Sequence, residues 1–139
     1  MGLPLPAGSL ALAPYLDMEA QGDSYDRNGE VDAIGDREGN LQFIKLFLGD
    51  ADSRDPLANL LHADLAGMAP ILLQVGNRDV LEDDSVRFAA LASAAGVDVT
   101  LEIENGMPHV FHFLAGHNAV ADAAIARAAT WARVRLGLA

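Results

Sequence analysis

The stretch Pro70-Ile71-Leu72-Leu73-Gln74-Val75-Gly76-Asn77-Arg78-Asp79-Val80-Leu81 decides how this chain is read. Residues 70–75 are an almost unbroken apolar run, which is the signature of a central strand covered on both faces rather than an alternating strand with one wet face. Gly76 and Asn77 then break the run, and Asp79 follows as an acid placed just beyond a strand end. Asp83 and Asp84 precede a helical pattern through about Ala95. Acids suit a helix N-terminus, and Gly96 stands where a C-terminal cap belongs.

The same grammar continues downstream. Val97, Val99, Leu101 and Ile103 alternate with Asp98, Thr100, Glu102 and Glu104, which predicts a strand at a sheet edge. Gly106-Met107-Pro108-His109-Val110-Phe111 forms a loop, and a helix from about Asn118 to Leu136 carries Val120, Ala124, Ala128 and Trp131 on one stripe. Upstream, residues 9–13 form a short apolar strand stopped by Pro14. Residues 17–40 turn polar and acidic and read as a loop or mobile lid. Leu41, Ile44 and Leu48 suggest a short helix stopped by Gly49, and residues 50–69 are irregular. Strand–helix–strand–helix order predicts an α/β fold with a parallel sheet.

Bulk properties narrow the function classes. One domain is expected from 139 residues, 51% of them hydrophobic. Twenty acidic residues against nine basic ones give a net charge of −11, which argues against nucleic acid or an anionic membrane as partner. The absence of cysteine excludes a disulfide scaffold and thiolate metal sites, and fits a cytoplasmic location. Met1 to Pro6 has neither a basic region nor an apolar core of the signal-peptide kind. No run approaches the roughly 18 apolar residues of a membrane span.

In a parallel sheet, residues that follow successive strands meet at one edge. Asp79 and His109 are so placed, and a carboxylate bonded to an imidazole is the acid–base part of a nucleophile–His–acid triad, here in the chain order acid then His. The bland alternative is a turn aspartate and a loop histidine with unrelated roles. Ser9, Ser24, Ser53, Ser85 and Ser93 are the serines, and none lies in a Gly-x-Ser-x-Gly turn. His109 and His112 form a His-x-x-His pair without a third ligand in sequence, so no metal is expected. Asp50, Asp52 and Asp55 read as a solvated loop, since a calcium loop needs a glycine and a distal glutamate at set spacing. His62 and His117 read as surface or helix-start residues. Tyr15, Phe43, Phe47 and Phe111 are candidates for lining a pocket, with core packing equally open for each.

Three segments together carry a resemblance: residues 70–85, Ala94-Ala-Gly-Val-Asp-Val-Thr-Leu-Glu102, and Gly106-Met-Pro-His-Val-Phe-His-Phe113. They are similar to the C-terminal part of the hormone-sensitive-lipase-like esterases, alpha/beta-hydrolases that cleave short and medium acyl esters. Ala13-Pro-Tyr-Leu-Asp17 and residues 49–58 also resemble segments of that family. The resemblance implies that residues 1–139 are the C-terminal portion of an alpha/beta-hydrolase domain, with a parallel three-stranded half-sheet, flanking helices and a lid-like insertion at 17–48. It implies Asp79 as triad acid and His109 as triad base of a Ser-His-Asp carboxylic-ester hydrolase, with no cofactor, and would make a pocket lined by Tyr15, Phe43, Phe47 or Phe111 an acyl pocket. The family's oxyanion loop and serine elbow are not in this sequence, so the chain alone is expected to be inactive. The rival reading is a non-catalytic structural or assembly protein derived from that fold. The 9–13 strand is expected to be a bare sheet edge, which predicts a homo-oligomer or a complementing N-terminal half as partner.

Overall fold

The computed structural model describes residues 4–138. Its core is a three-stranded parallel sheet in the order β1-β2-β3, formed by Ser9–Leu12, Ile71–Gly76 and Val99–Glu104. Strand β2 is central and every residue in it is buried, as its continuous apolar composition requires. Helices α1 (Ser24–Arg27) and α2 (Arg37–Leu48) lie between β1 and β2 in sequence, α3 (Glu82–Ala94) joins β2 to β3, and α4 (Ala119–Arg135) closes the chain.

The two sheet faces are built differently. On the α3 side, Ile71 and Leu73 pack with Phe88, Ala89, Ala92, Val97, Leu16 and Leu65 in a dry core. On the α4 side, the sheet presents Gln74, whose amide donates to the Ala124 carbonyl at 2.9 Å and to Glu102 at 2.8 Å. Small residues of α4 (Ala121, Ala124, Ala128) are the ones that become buried, because only short side chains let the helix approach that polar patch. Arg127 of α4 pairs with Glu102 at 2.9 Å and with Glu104. The acidic face of β3, read as wet, is therefore partly covered by a helix that carries its counter-charge.

Three details depart from the sequence reading. Helix α2 starts at Arg37, four residues before the apolar spacing begins, because the Asp36 carboxylate caps it by accepting from the Gly39 amide at 3.0 Å. Of its expected buried face, Ile44 is buried and Leu41 is exposed. The polar stretch after Asp17 contains the helical turn α1 and buries Asp17, Ser24, Tyr25, Asn28 and Asp32. Strand β1 has β2 as its only partner among the described residues, and Leu10 and Leu12 are exposed along it. No described helix is long and apolar enough to cross a membrane.

Candidate active site

Parallel pairing sends the chain out of β1, β2 and β3 at the same edge of the sheet, which gathers three loops. The β2 and β3 loops are stitched together by backbone contacts. The Asn77 amide donates to Glu104 O at 3.0 Å and the Arg78 amide to Met107 O at 3.0 Å. The Asn77 side chain accepts from the Gly106 amide at 2.7 Å and donates to Asn105 Oδ1 at 2.9 Å. Gly76 permits this approach: a Cβ there would lie 2.0 Å from the Met107 carbonyl oxygen. The glycine that ends the apolar run is thus the residue that lets the two loops touch.

The result is a short contact between Asp79 and His109. His109 Nδ1 lies 3.1 Å from Asp79 Oδ2, the aspartate fully buried and the histidine ring about one-fifth exposed. The other carboxylate oxygen, Oδ1, accepts from the Leu81 amide at 2.8 Å, so the acid is held by its own turn. Burial disfavours the charged imidazole, but the hydrogen bond and charge of Asp79, with the charge of Asp32, carry His109 above its ordinary pKa. Val110, immediately after His109, takes a left-handed backbone with φ of 43°, an uncommon conformation for a β-branched residue.

The remaining histidines and aromatics separate. His112 is buried beneath α4, with Nε2 3.0 Å from Gln74 Oε1, and burial holds its pKa below the usual value. His109 and His112 therefore face different partners. His62 lies 2.7 Å from Glu19 at the surface. Tyr15, Met18, Phe43, Ile44, Phe47 and Leu57 line an apolar cleft of about 350 Å³. Phe111 is not part of it; its ring packs against Ala121 and Ala124 of α4.

The sequence reading missed the residues that hold the acid loop from outside. Asn28 donates to Asp79 O at 2.8 Å and to Asn77 O at 3.2 Å, and Asp32 accepts from the Val80 amide at 2.6 Å. Asp84, read as an acid at a helix N-terminus, does stand in the first turn of α3, but its carboxylate reaches across to accept from the Leu16 and Asp17 amides at 2.9 Å each, and burial pushes its pKa up to about 7. For Asn28 and Asp32 the available signal was four-residue spacing among polar residues, which a solvated loop shows equally well.

Comparison with known proteins decides the lineage. The family model for the alpha/beta hydrolase fold matches residues 1–113. The chain belongs to the alpha/beta-hydrolase family. It is 35% identical over 112 residues to an acetyl-hydrolase of Streptomyces hygroscopicus, covering 81% of this chain and 38% of that protein. It is 36% identical over 104 residues to an esterase of Acinetobacter venetianus, covering 74% of this chain and 34% of that one. Among solved structures, an esterase from the bacterial hormone-sensitive lipase family superposes with a TM-score of 0.93 at 40% identity, over 96% of this chain and 45% of that one. A hormone-sensitive lipase from a metagenome library superposes at 0.90 and 32% identity, over 95% of this chain and 45% of that one. This alpha/beta-hydrolase chain thus spans about a third of the length of those curated relatives and under half of the solved ones.

Proposed function

We propose that the chain supplies the acid–base half of a Ser-His-Asp carboxylic-ester hydrolase. Asp79 holds the His109 ring in the tautomer protonated at Nδ1, which leaves Nε2 to take a proton from a serine hydroxyl. The serine oxygen attacks the ester carbonyl, Nε2–H then protonates the departing alcohol, and water repeats the cycle on the acyl-enzyme. Small acyl esters are the substrate class, with the cleft of Tyr15, Phe43 and Phe47 as a wall for the acyl chain. The carrying observation is the 3.1 Å Nδ1–Oδ2 contact at the edge where three parallel strands end.

The serine and the oxyanion donors must come from a segment other than these 139 residues, since no Gly-x-Ser-x-Gly turn exists in them. The exposed β1 edge, with Leu10 and Leu12, supports a partner there: a second copy or a complementing N-terminal half. That same edge supports the rival reading of a non-catalytic assembly protein. A cysteine-free chain suits a reducing, cytoplasmic setting.

Fusing this chain behind the upstream half of the solved bacterial hormone-sensitive-lipase-family esterase tests the reading. Hydrolysis of short p-nitrophenyl esters is expected, falling about 10⁴-fold in Asp79→Asn and about 10⁶-fold in His109→Ala. The unfused chain is expected to show negligible turnover and no labelling by serine-directed phosphonates. An active fusion indifferent to both substitutions, or a labelled serine in the unfused chain, would overturn it.

A further inference from the structure

Between β1 and α2, Ser24, Asn28 and Asp32 stand four residues apart, and all three side chains end on the backbone of residues 77–83. Ser24 Oγ donates to Val80 O at 2.5 Å and accepts from the Asp83 amide at 3.1 Å. Asn28 donates to the Asn77 and Asp79 carbonyls, and Asp32 Oδ2 accepts from the Val80 amide at 2.6 Å while Oδ1 accepts from the Ile34 amide at 3.3 Å. All three residues are buried. Apart from the Ile34 contact, every bond lands on Asp79, on its neighbour Val80, or on Asn77 and Asp83 at either end of the same turn.

Asp32 stands apart from the other two because it brings a charge. Its partners are both N–H donors, which a carboxylate satisfies with both oxygens. A second buried carboxylate beside Asp79 is unfavourable by like-charge repulsion, and burial together with the Asp79 charge raises the Asp32 pKa. The Val80 and Ile34 amides offset most of this, and the His109 imidazole adds to them, favouring the ionised form of Asp32 as Asp32 favours the charged form of the imidazole. The charges of Asp79 and Asp32 both favour the protonated ring. Asp79 and Asp32 are the ionisable groups that act on His109 by charge, whereas Glu104 acts on His112.

We propose that Asp32 is a positioning residue for the acid–base couple: it fixes the Asp79 turn through the Val80 amide and adds a second negative charge to the surroundings of the His109 ring. The proposal rests on reading Asp79 and His109 as that couple, and the test separates the two. The full chain is titrated by NMR, following the ring signals of His109 and, as an internal control, His62. Asp32→Asn keeps an oxygen to accept from Val80 and removes the charge. It is expected to lower the His109 midpoint by roughly half a pH unit, about a threefold loss of proton affinity, with the His62 midpoint unmoved. Asp79→Asn is expected to lower it further. If Asp79→Asn moves the midpoint and folded Asp32→Asn does not, the Asp32 role is wrong and the couple stands. If Asp79→Asn leaves it unmoved, the couple itself fails. Should Asp32→Asn not fold, the unsubstituted chain answers: the Asp32 carboxyl carbon signal must show an inflection at the His109 midpoint, and its absence would overturn the proposal.

Discussion

Residues 70–81 and residues 17–36 meet at the same loop, yet they are ordered by opposite means. Strand β2 is placed by apolar burial, with Leu72 and Leu73 about fully enclosed. The 17–36 stretch has few large apolar side chains besides Met18, Tyr25 and Ile34, and is tied down by polar side chains that reach across to backbone groups. Hydrophobic order is legible residue by residue because it follows a period. Polar order of this kind depends on where the partner backbone lies, which a local pattern does not encode. The acid of the candidate site sits where the two regimes join, so its position depends on both.

The apolar regime should fail most severely when β2 is cut back. Leu73→Ala removes a fully buried side chain between β1 and β3 and should cost about 2–5 kcal/mol in urea unfolding. A loss under about 1 kcal/mol would mean that β2 is not the packing centre.

The next effect is pH-dependent. Asp84 is fully buried, its Oδ2 accepts two backbone amides, and its pKa in the folded chain stands at about 7, above the ordinary 3.8. Between about pH 4 and pH 7 the folded chain therefore holds a proton that the unfolded chain has released. Stability from this group is fully present below about pH 4 and is lost as pH rises through about 7. Asp84→Asn keeps an acceptor for the amides and removes the titration. It should flatten the fall in the urea midpoint across that window. The effect is a few kcal/mol, since each pH unit between the folded and unfolded midpoints is worth about 1.4 kcal/mol. An unchanged slope would mean that Asp84 titrates normally.

Within the polar regime, Asn28→Ala removes the side-chain donor to the Asn77 and Asp79 carbonyls, of which Asp79 O keeps the Glu82 amide at 3.1 Å, and should cost about 1–3 kcal/mol. Asn28→Asp should be no better, because a carboxylate cannot donate. Equal stability of all three chains would show that the stretch merely covers the loop. At the small end, Phe47→Ser on the exposed face of α2 should change unfolding by less than about 0.5 kcal/mol, since Phe47 is 71% exposed. A larger loss would place Phe47 in the core.

The parallel α/β architecture, the central strand and the arrival of Asp79 and His109 at one sheet edge were legible from strand period and from which sheet end a loop leaves; that the two pair was implied by the resemblance. Gln74 was hidden within an apolar run, although a lone amide in a buried strand must find partners, and here it finds Glu102, Ala124 and His112. Phe111 and Phe43 looked alike in sequence; one lies under α4 and the other beside an open cleft, a difference set by packing between distant elements. Asp32 and Asn28 fell within a stretch read as a loop or mobile lid, because burial in a polar network has no signature in composition.

If Asp79 holds His109 as a poised acid–base pair, the ring must adopt one tautomer and not the other. Long-range proton–nitrogen NMR spectra of the chain, recorded above the His109 midpoint, distinguish the two neutral forms. The geometry requires the proton on Nδ1, donated to Asp79 Oδ2 across 3.1 Å, with Nε2 unprotonated. A neutral ring carrying its proton on Nε2, with Nδ1 bare, would contradict the pairing.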